Sequence, residues 1–125
     1  MLNMITLMGR LTRDPELRYT QSQKPVASFT LACERDTADK TADFIDIVAW
    51  NQTAEFVSKY FKKGDMAVAS GRLQIREWTD SGGTKRKTPE IVAWNVYFGG
   101  KKDEPQHEEK PKYTEPVDSD GELPF

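Results

Sequence analysis

Residues 44–65 read FIDIVAWNQTAEFVSKYFKKGD, a strand pattern followed directly by a helix pattern. Apolar side chains alternate between residues 44 and 50, which predicts a strand with two different faces. Residues 53–61 then repeat apolar positions four apart, and the Lys62, Lys63 and Gly64 that follow are typical of a helix C-terminus. The chain is therefore expected to pass from a strand into one short amphipathic helix.

Four further apolar segments, bounded by turn-forming residues, extend the strand pattern on both sides of this stretch. They cover residues 3–11, 26–33, 66–78 and 90–98. With the helix between the third and fourth strands, this order predicts an all-β fold with one short helix, a five-stranded Greek-key barrel of the oligonucleotide/oligosaccharide-binding (OB) type. Gly9 and Gly71 lie inside strands, where such a barrel bends or bulges. Many OB barrels bind oligonucleotides, but a fold alone does not establish a function.

Charge and composition divide the chain into a folded part and a tail. Residues 1–100 carry 14 Lys and Arg against 12 Asp and Glu, whereas residues 101–125 carry 4 against 8. The tail is rich in Pro, Glu and Lys and poor in large apolar residues, so it cannot bury enough surface to fold. We expect one domain over residues 1–100, a disordered linker over 101–117 and an acidic tip over 118–125. Such a tail serves either for interaction or for solubility alone.

Cysteine content and hydropathy indicate the compartment. The single cysteine, Cys33, cannot form an internal disulfide, and the N-terminus lacks the pattern of a secretory leader. No apolar run approaches the ~18 residues that a membrane span requires. We therefore expect a soluble cytoplasmic protein in a reducing environment.

Two predicted strands place aromatic and charged residues on one face, because successive strand residues point to opposite sides. Residues 44–50 direct one set inward, Ile45, Ile47 and Ala49, and the other set outward, Phe44, Asp46, Val48 and Trp50. Residues 72–78 separate in the same way into Leu73 and Ile75 on one side and, on the other, Arg72, Gln74, Arg76 and Trp78. Each strand thus has an aliphatic face and a face that mixes aromatic with charged side chains.

Phe44, Trp50 and Trp78 have two interpretations, because aromatic residues in strands usually fill a core. In both strands, however, aliphatic residues occupy the opposite face, and a domain of this size has one core to fill. We therefore expect these three rings on the surface. The other aromatics are expected to pack against the protein, in the core or a subunit interface for Trp94 and in helix packing for Phe56, Tyr60 and Phe61.

Two predicted loops add positive charge beside these strands. Residues 10–24 include Arg13, Arg18, Tyr19 and Lys24, and residues 79–88 include Lys85, Arg86 and Lys87. In an OB barrel these connections flank the binding face; the alternative is ordinary solvated loop charge. Aromatic rings stack on any base at ~1–3 kcal/mol per base, while Arg and Lys neutralise phosphates. The combination predicts sequence-tolerant binding of single-stranded nucleic acid.

Five stretches resemble the bacterial single-stranded DNA-binding protein family and together extend over the whole chain. They are GRLTRDPELRYT (9–20), VASFTLA (26–32), the stretch at 44–65, GRLQIREWTDSGGTKR (71–86) and DSDGELPF (118–125). The resemblance implies an OB fold, usually a homotetramer, that wraps single-stranded DNA and stacks bases on rings matching Phe44, Trp50 and Trp78. It also implies backbone contacts at positions matching Arg18, Lys62, Lys63 and Arg76. A further aromatic that many members carry falls at Thr37 here.

The C-terminal tip resembles the acidic tip, ending in Pro-Phe, with which this family docks onto replication, recombination and repair proteins. The matching residues are Asp118, Asp120, Glu122, Leu123, Pro124 and Phe125. A terminal ring suits a hydrophobic pocket, and the carboxylates suit basic groups on a partner. Ser119 and Gly121 interrupt the usual acidic run. The reduced acidity and short linker are compatible with a phage or plasmid member or a bacterial paralogue.

Two other classes of function compete with this interpretation. An enzyme is the first, since some OB barrels host nucleases, but His107 lies in the tail, Cys33 alternates with Phe29 and Leu31, and no residues have metal-ligand spacing. The glycines at 82 and 83 do not form a complete phosphate-binding loop either. We expect no catalysis, metal or cofactor. The second is an adaptor whose barrel binds proteins, which predicts weak and strongly salt-sensitive DNA binding.

Overall fold

The computed structural model describes residues 1–100, so the predicted linker at 101–117 and tip at 118–125 lie outside the described residues. Six strands and one helix follow one another along the chain. They are β1 (Ile5–Leu11), β2 (Glu16–Tyr19), β3 (Pro25–Glu34), β4 (Ala42–Trp50), α1 (Asn51–Tyr60), β5 (Met66–Thr79) and β6 (Lys85–Phe98). The predicted all-β class with one short helix is confirmed.

The strands form one sheet in the order β1-β5-β6-β4-β3-β2, and an additional β1–β3 pairing closes it into a barrel. Neighbours are antiparallel except β4 and β6, which are parallel. The predicted barrel is therefore confirmed, with one strand more than the five expected. The extra strand is β2, which lies inside the predicted loop 10–24 and pairs with Pro25–Ser28 of β3. Four residues, two of them charged, carry too little alternation to be recognised as a strand.

The core lies inside the barrel, where alternate residues of the strands meet. Its largest fully buried side chains are Phe29, Leu31, Ile47, Val57 and Ile91. Burying each such side chain is worth ~1.5–3 kcal/mol. The predicted inward set of β4 is confirmed, because Ile47 and Ala49 are buried and Ile45 packs against the core.

The helix α1 begins two residues earlier than the sequence predicts. Asn51 has a φ of 57°, a left-handed conformation that asparagine adopts more readily than most residues, and this lets the chain reverse directly after Trp50. Ala54 and Val57 are fully buried beneath the helix. On its outer side Phe56, Tyr60 and Phe98 form an aromatic cluster with ring centroids 5.3–6.5 Å apart. The predicted packing role of these helix rings is confirmed, although Tyr60 stays exposed.

A bulge interrupts the pairing of β5 with β6 between Ser70 and Gly71, where β6 carries one extra residue. The prediction that Gly71 lies where the barrel bulges is confirmed. A Cβ at this position would overlap the carbonyl oxygen of Val92. The extra residue also shifts the alternation along β6, so that Ala93 and Val96 are buried while Trp94 is half-exposed. Of the two places predicted for Trp94, the core is therefore wrong, and the subunit interface stays a prediction.

Beyond the bulge, β5 and β6 continue as a two-stranded arm. β1 accompanies β5 only as far as Gly71, and β4 accompanies β6 only from Glu90. Leu73 and Ile75 consequently remain exposed, which corrects the prediction of an aliphatic core face along this strand. The side-chain amide of Asn3 exchanges two hydrogen bonds with the backbone of Leu73 and ties the N-terminus to the arm.

Two smaller features complete the fold. Cys33 is half-buried and packs against the core, and desolvation together with the nearby Asp43 carboxylate raises the pKa of its thiol. Over residues 1–100, no helix has the length and apolar character needed to cross a membrane.

Candidate nucleic-acid interface

The side chains that point away from the core on β2, β3, β4, β6 and β5 form a continuous surface, which we call the outer face. Strand register arranges it in rows. One row aligns Arg18, Val26 and Trp50 across β2, β3 and β4. The central row aligns Thr30, Asp46, Glu90 and Gln74 across β3, β4, β6 and β5. Residues far apart in sequence thus become neighbours on one face.

The three predicted stacking rings are exposed, which confirms their placement on the surface. Phe44 is 66% exposed, Trp50 42% and Trp78 40%. Phe44 and Trp50 stand near the two ends of β4, about 20 Å apart at ~3.3 Å per residue. Trp78 lies on the arm, where its indole Nε1 donates to the Thr88 hydroxyl over 2.8 Å and the Arg76 guanidinium lies 6.0 Å from its ring. These contacts hold the Trp78 ring in place.

Cations of the outer face are accompanied by carboxylates. Arg76 is paired with Glu90 over 3.2 Å, Arg18 with Glu16 over 3.1 Å, and Arg86 with Asp80 over 2.9 Å. The Arg86 hydrogen bond, supported by backbone N–H groups of the turn, lowers the pKa of Asp80. Arg72 is half-buried opposite Val92. The three ion pairs are partly open to water and contribute little to stability, so their arginines remain accessible to other anions.

The basic segment Lys85 to Lys87 lies on a strand, which corrects its prediction as part of a loop spanning 79–88. Only residues 80–84 form the turn, closed by hydrogen bonds between Asp80 and Thr84. Because strand residues alternate, Arg86 lies opposite Trp78, whereas Lys85 and Lys87 lie opposite Thr79 and Glu77 on the other side of the arm. The turn residues that indicate the hairpin could be recognised in the sequence, but the sequence did not show how short the turn is.

Lys62 and Lys63 follow α1 and lie off the strands. The carboxylate of Asp65 accepts from the backbone N–H of Lys62, and that of Asp14 accepts from the N–H of Lys63, over 3.0 and 2.8 Å. These bonds use the backbone and leave both exposed ammonium groups directed to solvent. The turn thereby adds positive charge next to the residues that connect β1 with β2.

A hollow of about 420 Å³ opens in the middle of the outer face. Arg13, Arg18 and Arg76 line it together with Asp46 and Glu90, while Ser28 and the backbone of neighbouring strands complete its wall. Within residues 1–100, no three His, Cys, Asp or Glu side chains are grouped so that they could hold a metal ion. The chemistry that this surface offers is therefore aromatic stacking, guanidinium and ammonium charge, and carboxylate acceptors.

Comparison with known proteins adds to this geometry. The model of the single-strand binding protein family matches residues 2–99. The chain belongs to the single-strand binding protein family.

Individual relatives agree with the family match. Single-stranded DNA-binding protein 2 of Listeria monocytogenes is 44% identical over 102 residues, which cover 78% of this chain and 64% of the relative. Single-stranded DNA-binding protein A of Bacillus subtilis is 44% identical, with 59% of its length covered. Single-stranded DNA-binding protein 1 of Staphylococcus aureus is 47% identical, with 65% covered. The aligned part of the chain thus spans slightly less than two thirds of these relatives.

Three further residues lie beside the predicted rings. Thr37, where a further aromatic was expected from the resemblance, lies in the exposed β3–β4 connection, and its hydroxyl donates to Asp39 over 2.6 Å. Trp94 and Tyr19 are both half-exposed rings on or beside the barrel. The sequence did not mark Trp94 as a surface ring, because the bulge that turns it outward leaves no signal in the alternation.

Proposed function

We propose that this protein binds single-stranded DNA without sequence preference and without catalysis. The observation that carries the proposal is the exposure of Phe44, Trp50 and Trp78 on one surface that also presents arginines, on a chain of the single-strand binding family. Relatives at 44–47% identity are named single-stranded DNA-binding proteins. Bases would stack on the three rings at ~1–3 kcal/mol each.

Phosphates would be held by the cations around these rings. The proposed set is Arg18, Lys62, Lys63, Arg72, Arg76 and Arg86, with Lys85 and Lys87 acting from the other side of the arm. Glu16, the partner of Arg18, is exposed, and Asp80, the partner of Arg86, also accepts hydrogen bonds from the backbone of the turn. A phosphate can therefore replace either carboxylate at a small cost in free energy. The rings supply an affinity that survives in salt, while the cations supply one that falls as salt rises.

We further propose that the protein coats and protects single-stranded DNA during replication, recombination and repair in the cytoplasm. The acidic tip would recruit partner proteins through Asp118, Asp120, Glu122, Leu123, Pro124 and Phe125. A homotetramer is the proposed assembly, and it would cover the apolar side chains that one chain leaves exposed, among them Met8, Leu73 and Ile75. No cofactor or membrane takes part in this proposal.

The test of the central proposal is a titration of intrinsic tryptophan fluorescence with unlabelled oligothymidine, with duplex DNA as competitor. We expect strong quenching that duplex does not reverse, because only unpaired bases can stack on Trp50 and Trp78. Absence of both quenching and binding, in a protein whose circular dichroism shows a folded barrel, would contradict the proposal. That result would favour the adaptor whose barrel binds proteins.

A second prediction uses two neighbouring cations that face opposite sides of the arm. Arg86→Gln is expected to reduce the slope of log K against log salt by ~0.7, the contribution of one phosphate contact on a single strand. Lys87→Gln is the matched comparison and is expected to reduce the slope by less, because Lys87 lies opposite Glu77 and away from Trp78, so that its phosphate contact is the weaker of the two. Equal slopes for the two variants would show that the strand does not distinguish the two sides of the arm.

A further inference from the structure

The hollow in the outer face has acceptors deep inside and cations nearer to solvent. Asp46 and Glu90 are cross-strand neighbours at its centre, and the Glu90 side chain is only 12% exposed. Arg18 and Arg76, which line the same hollow, have side chains 70% and 48% exposed. A ligand entering here passes guanidinium groups first and meets carboxylates last.

The two carboxylates differ in what they can still accept. Glu90 is occupied, since Gln74 Nε2 donates to one of its oxygens over 2.8 Å and Arg76 Nε to the other over 3.2 Å. Asp46 accepts one bond, from the Thr30 hydroxyl to Oδ1 over 3.2 Å. In the part of the chain that the structure describes, no donor is bonded to Asp46 Oδ2. Asp46 therefore carries the free acceptor of the hollow.

This layering of charge determines which part of a DNA strand can enter. A phosphate placed between Asp46 and Glu90 would be repelled by two carboxylates, whereas at the level of the arginines it would be attracted. A base has no net charge and can pass inward, edge first. The neighbouring rings of Phe44 and Trp50 on the same strand already favour bases over this part of the face. The strand is thus expected to turn a base, not its backbone, towards Asp46.

We propose that the hollow is a base-edge subsite in which Asp46 accepts a hydrogen bond from the exocyclic amino group of a base. Cytosine, adenine and guanine carry such a group; thymine and uracil present a carbonyl oxygen in the corresponding place on the pyrimidine ring. A carboxylate accepts well from cytosine N4, and a carbonyl oxygen turned towards it leaves both acceptors unpaired. The inference rests on the proposed function and adds a base preference at this one subsite, while the stacking rings and the cations hold the rest of the strand without regard to sequence.

The test compares oligo(dC) with oligo(dU) of equal length, which differ only around C4 and N3 of the pyrimidine ring. Binding of each is measured for the full chain and for Asp46→Asn, at neutral to weakly alkaline pH. The asparagine side chain has the same shape as aspartate, and its oxygen can still accept the hydrogen bond of the Thr30 hydroxyl. Unlike the carboxylate, the amide can either accept a hydrogen bond from cytosine or donate one to uracil. We expect the ratio of the dC to the dU association constant to fall about fivefold or more in the variant.

Glu77→Gln is the matched control, because it removes one negative charge from β5 on the side away from the hollow. It is expected to raise binding of both oligonucleotides equally and leave their ratio unchanged. If Asp46→Asn does not fold by circular dichroism, Asp46→Ser replaces it. A dC to dU ratio that is the same in wild type and Asp46 variant overturns the base-edge subsite while leaving single-strand binding intact. Failure of the wild type to bind either oligonucleotide overturns both proposals.

Discussion

Trp50→Leu is expected to weaken binding of single-stranded DNA by roughly 5- to 150-fold, whereas Trp50→Phe keeps most of the affinity. The loss corresponds to ~1–3 kcal/mol for one stacked base. Leucine retains an apolar side chain at this position but offers no flat ring, so the pair of variants separates stacking from general apolar contact. The measurement is fluorescence anisotropy of a labelled oligothymidine, since Trp50 is itself one of the intrinsic fluorophores.

The structure makes this substitution suitable for the test. Trp50 precedes α1 at the N-cap position, but its side chain makes no capping hydrogen bond, so its removal does not uncap the helix. It is 42% exposed on the outer face beside Val26. The affinity ratio between the two variants should persist at high salt, because stacking depends on salt less than phosphate contact does. A ratio near one, with both variants folded, would assign Trp50 to another role.

Alternation in the sequence was sufficient to predict β4 and its two faces. Ile47 and Ala49 are buried, and Phe44 and Trp50 are exposed, as expected. The pattern was decisive because β4 lies inside the sheet between β3 and β6, where one side always meets the core and the other always meets solvent. In such a strand, the identity of each face follows directly from which residues are aliphatic.

The same reasoning failed on β5, for a physical reason. Alternation reports which residues share a face, but it does not report whether another element covers that face. Leu73 and Ile75 do share a side, yet β1 ends its pairing at Gly71 and leaves them exposed on the arm. The arm depends on how far the partner strands extend, which is a property of the assembled barrel and not of residues 66–79 alone.

Trp94 and the basic residues at 85–87 show two further limits of the one-dimensional pattern. One extra residue in β6 reverses the alternation after Ala93, and the sequence contains no mark of where that insertion falls. The hairpin turn could be recognised from its glycines, but its tightness is set by the hydrogen bonds of Asp80 with Gly82, Thr84 and Arg86. Because the turn is tight, all three basic residues lie on β6. Arg86 therefore faces one side of the arm, and Lys85 and Lys87 face the other.

Gly71→Ala is expected to destabilise the fold by about 3 kcal/mol, the upper end of the usual range for overpacking, which reduces the folding equilibrium constant roughly 150-fold. An added Cβ would overlap the carbonyl oxygen of Val92 and lie 2.9 Å from the Cα of Ala93. Both are backbone atoms that cannot rotate away, so β5 and β6 must separate where the barrel continues into the arm. Urea unfolding followed by circular dichroism at one fixed protein concentration measures the change.

Gly82→Ala is the matched control for the same substitution at a site without close backbone. The nearest heavy atom to an added Cβ there is an Asp80 carboxylate oxygen at 3.5 Å, so we expect a change within ~0.5 kcal/mol. Arg72, Arg76 and Trp78 all follow Gly71 on β5, and a displaced arm would carry them out of line with Trp50. Gly71→Ala should therefore also weaken DNA binding under conditions where it remains folded. An unchanged urea midpoint would mean that β6 can move away from Gly71 at no cost, and the bulge would then not fix the direction of the arm.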